Sequence, residues 1–112
     1  VLATLYYSTG GDDWDESGSG WMTNSNECFW YGIECNAFEI TEISLRDNNL
    51  EGPLPPELHM LSDSLIALAL NENILTGAIP STFGLFTKLG TFCEIGCLCK
   101  ESQPARSHQP AS

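Results

Sequence analysis

A repeat with a spacing of 25 residues is the feature that most constrains how this chain folds. When Ile40 is aligned with Leu65, the residues that follow match in type at apolar, Asn, Gly and Pro positions. The matched pairs are Ile40 and Leu65, Ile43 and Leu68, Leu45 and Leu70, Asn48 and Asn73, Leu50 and Leu75, Gly52 and Gly77, Leu54 and Ile79, and Pro55 and Pro80. The shared pattern, L-x-x-L-x-L-x-x-N-x-L-x-G-x-[LI]-P, predicts two coils that stack and bury their apolar side chains together.

Each position of the pattern has a structural role. The apolar residues alternate at the end of L-x-x-L-x-L, which predicts a short strand with one buried face. Asn48 and Asn73 follow these strands, and an Asn amide supplies both donors and an acceptor for backbone groups at a turn. A column of such residues, one in each coil, would form a ladder. The Gly allows a tight backbone path, and the Pro fixes the next turn.

A third coil begins and then loses the repeat. Leu89 follows Leu65 by 24 residues and Phe92 follows Leu68 by 24, but Glu94 falls at an apolar position. We therefore expect repeats over 38–92, with the third coil partial, and a Cys-rich end with a disordered tail over 93–112.

The three cysteines of that end, Cys93, Cys97 and Cys99, leave several interpretations open. They are a native end, a degenerate cap with one disulfide and one free thiol, or the product of a change of reading frame near residue 92. Their spacing does not match the paired thiolates of a structural zinc site.

The first third of the chain has a different character. Val1 to Tyr7 reads as the end of an amphipathic helix that Gly10-Gly11 stops, and an acidic loop follows. Three tryptophans, Trp14, Trp21 and Trp30, are large enough to cover the open side of the first coil. Residues 30–35 read as a strand, and Asn36-Ala37 as a turn into the first repeat. We assign residues 1–37 to an N-terminal cap.

At this point the residues resemble a known family. The stretch Cys28-Phe29-Trp30-Tyr31-Gly32-Ile33-Glu34-Cys35 is similar to the C-x-W-x-G-[VI]-x-C cap motif of plant-type extracellular leucine-rich-repeat proteins. The Gly-x-Ile/Leu-Pro ending of each coil, and Leu5-Tyr6 with Thr9-Gly10-Gly11 and Trp14, resemble that family's repeats and cap helix. The resemblance implies an α/β fold: a right-handed solenoid with short parallel strands on its concave face and a cap tied by a Cys28–Cys35 disulfide.

The resemblance also implies a function. Members of the family are receptor-like kinases, receptor-like proteins and polygalacturonase inhibitors that recognise proteins, peptides or glycans. We expect an extracellular or cell-surface recognition module, the N-terminal fragment of a receptor-like or secreted protein that acts in signal transduction. The alternative is a secreted structural or enzyme-inhibitor repeat protein without a signalling role.

The expected ligand-facing residues alternate with the buried strand positions. Few of them are aromatic, so a solvated strand face is the competing interpretation for any single residue. In the two coils they are Glu42, Ser44, Arg46 and Asp47, followed by Ala67, Ala69, Asn71 and Glu72.

The charge and the cysteine content limit which classes of partner the chain can bind and which cellular compartment it occupies. The chain has 15 acidic and 4 basic residues, a formal net charge of −11, which disfavours nucleic acids and anionic lipid surfaces. A local cysteine pair within a small chain points to a disulfide and to an oxidising compartment.

The chain has no apolar run of membrane-spanning length, so membrane attachment requires a segment absent from it. It begins within an apolar stretch without Met, and we expect sequence upstream.

No pattern favours catalysis, a cofactor or a metal. From Asp13, the acidic run partly fits a calcium-binding loop, but its twelfth position is Asn24, where a bidentate Glu is needed. His59 has no nucleophile placed near it, and no phosphate-binding or zinc-protease motif occurs. We therefore expect a protein that is not an enzyme.

Overall fold

The computed structural model describes residues 1–16, 19–93 and 100–101. Over these ranges the structure begins with helix α1 (Leu2–Ser8) and has four short 3₁₀ helices, Gly11–Asp13, Glu27–Phe29, Pro56–Leu61 and Ser81–Leu85. Its strands are β1 (Ile33–Asn36), β2 (Glu39–Ser44), β3 (Glu51–Pro53), β4 (Ala67–Ala69), β5 (Ile74–Thr76), β6 (Thr91–Cys93) and β7 (Lys100–Glu101).

The larger sheet has the strand order β1-β2-β4-β6-β7, and its three central strands are parallel. Ile43 is the register partner of Leu68, and Leu68 is the partner of Phe92. These pairings confirm the predicted shifts of 25 and 24 residues between successive coils. One strand of each coil therefore lies beside the equivalent strand of the next.

A smaller parallel sheet, β3 with β5, lies on the return side of the coils. Its register pairs Gly52 with Leu75, although the repeat aligns Gly52 with Gly77. Equivalent positions in the repeat are therefore not always neighbours in space. Because side chains alternate with a period of two, this offset of two residues still leaves each side chain on the same face of its strand.

The core of the coils lies between the two sheets and consists mainly of the repeated apolar positions, although Ile79, which the repeat aligns with the buried Leu54, is 45% exposed. Ile43, Leu45, Leu50, Leu65, Leu68 and Leu70 are fully buried. Leu58 joins them from the 3₁₀ helix Pro56–Leu61, and Leu89 extends the core toward the third coil. The repeat thus buries one continuous apolar column, which no single coil would enclose alone.

The cap joins the repeats through an antiparallel hairpin. β1 pairs with β2 across a turn at Ala37 and Phe38, whose φ angles are 55° and 66°. The predicted strand over 30–35 is wrong at its start, because Trp30 ends a 3₁₀ helix and Gly32 has a φ of 82°. A Cβ at Gly32 would collide with the backbone oxygen of Ser44, so this close approach of two strands requires glycine.

The three tryptophans are buried in the cap and form a chain of ring contacts. The ring centroids of Trp14 and Trp21 lie 4.8 Å apart, those of Trp21 and Trp30 lie 5.0 Å apart, and Tyr6 contacts Trp14 at 5.1 Å. Each indole N–H donates to a backbone oxygen: Trp14 to Thr9, Trp21 to Tyr31, and Trp30 to Ser25. The cap therefore gains apolar burial without leaving a buried donor unpaired.

Tyr6 links this aromatic cluster to the acidic loop. Its hydroxyl donates to Oδ1 of Asp12 at 2.6 Å. This hydrogen bond, together with burial and the charge of Asp12, raises the pKa of Tyr6 to about 12. The buried Gly11 packs so closely on the Tyr6 ring that a Cβ there would collide with it. The loop after α1 is therefore held against the cap core.

A disulfide joins Cys28 to Cys35, with a Cα–Cα distance of 5.6 Å and a sequence separation of 7. It connects the 3₁₀ helix Glu27–Phe29 to β1. The bond therefore closes the short loop that carries Trp30 and Gly32 into the hairpin.

Replacing both cysteines, Cys28→Ala with Cys35→Ala, should lower the free energy of unfolding by about 2–3 kcal/mol, because loss of the cross-link frees a short loop in the unfolded chain. Urea unfolding followed by far-UV circular dichroism measures this. Non-reducing peptide mapping of the unmodified chain is the control. Free thiols at both positions, or an unchanged unfolding midpoint, would contradict the expectation.

The end of the chain departs from expectation at two residues. Lys100–Glu101 forms β7, which pairs antiparallel with β6, so the predicted disordered tail is wrong for these two residues. Cys97, Cys99 and residues 102–112 of the predicted Cys-rich end and tail lie outside the described residues. Across 1–16, 19–93 and 100–101, no helix is long and apolar enough to span a membrane.

Candidate ligand-facing surface

The outer face of the larger sheet carries the residues predicted to face a ligand. On β2 these are Glu42 and Ser44, and on β4 they are Ala67 and Ala69. The register places Glu42 beside Ala67 and Ser44 beside Ala69. All four are half-buried, as side chains on a sheet face are when neighbouring strands flank them. We call these four residues, together with Glu34 on β1, the strand face.

The hairpin adds Glu34 to the strand face. Glu34 on β1 is the register partner of Glu42, and Glu42 is the register partner of Ala67, so two carboxylates lie side by side on the β1 side of Ala67. The sequence prediction missed Glu34 because it treated β1 only as part of the cap. The predicted turn at Asn36-Ala37 was the signal that could have found it, because a tight turn brings the next strand back alongside β1.

Charged residues lie where the strands end. Arg46 Nη2 lies 4.0 Å from Glu72 Oε1, and both side chains are exposed. Such an exposed ion pair contributes little stability because water and salt screen it. Asp47 and Glu72 occupy equivalent positions of the repeat, with φ angles of 53° and 64°. The same left-handed turn therefore ends the strand in both coils and presents an acidic side chain each time.

Asn71 does not have the exposure predicted for a ligand contact. Its side chain is only 4% exposed, and its Oδ1 has no hydrogen-bond partner in the described part of the chain. β4 ends at Ala69, so the alternation of exposed and buried residues stops before Asn71. The backbone oxygen of Asn71 accepts from the N–H of Asp47 at 3.0 Å, which joins the turns of the two coils.

Asn73 stands between the two coils and bonds to the backbone of both. Its Oδ1 accepts from the N–H groups of Asn48 and Leu50, each at 2.9 Å. Its Nδ2 donates to the carbonyl oxygens of Leu45 at 2.9 Å and Leu70 at 3.0 Å. One side chain thus satisfies backbone groups that leave the sheet and have no strand partner.

Asn48 plays the corresponding part at the cap. Its buried Oδ1 accepts from the N–H of Glu16 at 2.8 Å, which ties the acidic loop to the first coil. Its Nδ2 has no partner among the described residues. The two asparagines therefore carry the hydrogen bonds that fix the turn beneath the strand face.

The remaining candidate sites stay separate from this face. His59 lies half-buried in the 3₁₀ helix Pro56–Leu61, on the opposite side of the coil. Ser17 and Gly18 of the acidic run lie outside the described residues. Over the described ranges, His, Cys, Asp and Glu side chains form no group that could hold a metal ion.

Comparison with known proteins identifies the architecture. The structure is similar to the crystal structure of PEPR1–AtPEP1, with a TM-score of 0.66 and 32% identity, over 81% of this chain and 13% of that one. The receptor-like kinase TMK4 of Arabidopsis thaliana is 38% identical over 77 residues, which are 69% of this chain and 8% of the relative. The chain is a plant-type leucine-rich-repeat segment. No family model matches it.

Two further relatives agree with this leucine-rich-repeat assignment. The receptor-like kinase RGI3 of Arabidopsis thaliana is 38% identical over 73 residues, 63% of this chain and 7% of the relative. The receptor protein kinase WSS1 of Oryza sativa subsp. japonica is 45% identical over 65 residues, 55% of this chain and 7% of the relative. The family predicted from the cap motif is confirmed, and the segment is extracellular or at the cell surface. It spans less than a tenth of these relatives.

Proposed function

We propose that this leucine-rich-repeat segment is the capped start of the ectodomain of a receptor-like protein, and that it helps to bind an extracellular peptide or protein on its strand face. The observation that carries the proposal is the outer face of β1, β2 and β4, where Glu34, Glu42, Ser44, Ala67 and Ala69 lie next to one another. The similarity to receptor-like kinases and to PEPR1–AtPEP1 supports it. Signal transduction would belong to the rest of the protein.

The side chains of the strand face favour a peptide ligand whose backbone lies close against the sheet. Ala67 and Ala69 leave room for a ligand chain to lie close to the sheet. Glu34 and Glu42 flank Ala67 on one side, and Arg46 lies beyond the strand end. With small residues in the middle and charged residues around them, the strand face would select its ligand by charge complementarity, because it offers no large apolar side chain as an anchor. The acidic balance favours a ligand with basic groups over a nucleic acid or an acidic glycan.

The size of the strand face supports a role as one part of a longer surface. A stable protein interface covers about 800 Å² on each partner, more than the short strands of two coils present. We propose that the chain is part of a right-handed solenoid with more coils than these, and that it divides into a cap over residues 1–37, repeats over 38–92 and a Cys-rich end with a disordered tail over 93–112, apart from Lys100–Glu101 of β7. The segment would act by binding alone, with no catalytic group of its own.

A displayed peptide library tests the strand face directly. Random peptides on phage are selected against the immobilised 112-residue chain. The affinities of the enriched peptides are then measured for Ala69→Arg. Because the new side chain fills the middle of the strand face, we expect these affinities to fall at least tenfold, which corresponds to about 1.4 kcal/mol.

Thr76→Arg is the matched control. It adds the same charge and bulk at an exposed position of β5, in the smaller sheet. Peptides that bind the strand face should keep their affinity for this variant. The proposal would be contradicted if none of the enriched peptides lost affinity for Ala69→Arg, if the two variants weakened binding equally, or if the selection gave no enrichment.

A further inference from the structure

A groove lies at one end of the first coil, away from the strand face. It runs between the tip of the β1–β2 hairpin, the 3₁₀ helix Glu27–Phe29 and the end of the 3₁₀ helix Pro56–Leu61. Its volume is about 410 Å³, within the roughly 300–1,000 Å³ of sites that hold small ligands or side chains. The Ser64 hydroxyl donates to the Ile40 carbonyl oxygen at 2.6 Å and so ties two of its walls together. The groove shares no residue with the strand face.

Two large apolar side chains line this groove and remain exposed. Phe38 is 74% exposed and Met60 is 65% exposed, although both have core-type side chains. Phe38 has a φ of 66°, a left-handed conformation that favours Gly or Asn and costs a bulky residue about 1–3 kcal/mol. The fold therefore holds an aromatic ring at the tip of the hairpin, where a turn residue without a ring would be more stable.

The rim of the groove carries acidic charge. Glu27, Glu39 and Asp63 line it, and no Lys or Arg does. Within the described ranges the ion pair found is Arg46 with Glu72, so these three carboxylates have no cationic partner there. An exposed aromatic ring and a methionine bordered by three carboxylates are complementary to a cationic side chain with a flat or apolar body.

We propose that this groove binds an arginine-bearing peptide segment of a partner protein, in addition to any ligand on the strand face. The guanidinium stacks on the Phe38 ring and donates to the carboxylates of Glu39 or Asp63. Arginine fits better than lysine because its planar fork combines stacking with paired hydrogen bonds to a carboxylate. The flexible thioether of Met60 adapts to the apolar residue next to the arginine.

Isothermal titration calorimetry of the 112-residue chain with a blocked peptide, Gly-Arg-Leu-Arg-Gly, tests this proposal. The same peptide with citrulline in place of each arginine keeps the shape and removes the charge, and we expect it to bind at least tenfold more weakly. Glu39→Gln with Asp63→Asn should weaken binding of the arginine peptide by a similar factor. Phe38→Asn should also weaken it while leaving the chain as stable or more stable, because Asn accepts the left-handed backbone.

Glu51→Gln with Glu57→Gln is the matched control, since it removes two exposed carboxylates outside the groove. These substitutions should leave the affinity for the arginine peptide within twofold. The proposal would be overturned by equal losses in the two double variants, by equal binding of the arginine and citrulline peptides, or by the absence of binding at millimolar peptide. Ala69→Arg should leave this binding unchanged, which separates this test from the test of the strand face.

Discussion

Replacing Trp21 with alanine is expected to lower the free energy of unfolding by about 3–5 kcal/mol, the usual cost of removing a large buried aromatic side chain. Trp21 is 3% exposed and lies between Trp14 and Trp30 in the cap. Because domains of this size are stable by only about 5–15 kcal/mol, this loss is a large fraction of the total, and the urea midpoint of unfolding should fall markedly. Urea unfolding followed by far-UV circular dichroism measures the loss without relying on tryptophan fluorescence.

Two further substitutions separate the sources of this effect. Trp21→Phe keeps most of the ring contacts but removes the N–H that donates to Tyr31, so we expect a loss of about 1–2 kcal/mol. Phe29→Ala removes an aromatic ring that is 73% exposed, and its effect should stay within about 0.5 kcal/mol. If Trp21→Ala cost no more than Phe29→Ala, the aromatic cluster would not be what closes the first coil.

Replacing Asn73 with alanine is expected to cost about 2–4 kcal/mol. The change removes the acceptor of the Asn48 and Leu50 N–H groups and the donor to the Leu45 and Leu70 carbonyl oxygens. Each buried polar group left without a partner costs roughly 1–3 kcal/mol, and water entering the turn offsets part of the sum. Thermal unfolding measures the total, and hydrogen exchange at the Asn48 and Leu50 amides reports the loss locally.

Asn73→Asp separates the effect of losing the side-chain acceptor from the effect of losing the side-chain donor. It keeps an acceptor for the Asn48 and Leu50 amides but places negative charge beside the three carbonyl oxygens that the Asn73 amide nitrogen contacts. The protection of those amides should therefore survive better than in Asn73→Ala, while overall stability still falls. Asn24→Ala, at an exposed position of the cap loop, is the control and should change neither quantity. Equal exchange rates at Asn48 and Leu50 in Asn73→Ala and the unmodified chain would refute the role assigned to this side chain.

The repeat made the parallel pairing of β2 with β4 predictable. Because Ile43 and Leu68 occupy the same position of two successive coils, burying both on one side places their strands in parallel register. The same reasoning extended to Phe92, which pairs with Leu68 although the repeat fails two residues later. Burial of the cap tryptophans was also predictable, because rings of that size near an open apolar coil have no better place to lie.

The hairpin at the cap was less predictable. Its turn residues are Ala37 and Phe38, both left-handed, whereas Asn-Gly or Asp-Gly is the usual sequence for such a turn. Pairing of β1 with β2 and the Cys28–Cys35 bond hold the turn in spite of its local cost. The predicted turn at Asn36-Ala37 is therefore displaced by one residue from the observed turn at Ala37 and Phe38.

The sequence by itself determined the period of the coils, the residues that fill the core, the asparagines that end the strands and the family to which the segment belongs. These properties follow from local spacing, which sets which side chains face inward once a strand forms. The tertiary structure alone decided that Glu34 lies beside Glu42, that Asn71 is buried, and that Phe38 and Met60 line the same acidic groove. Each of these depends on how segments distant in the chain pack, because proximity between them is set by closure of the whole core and not by any local pattern.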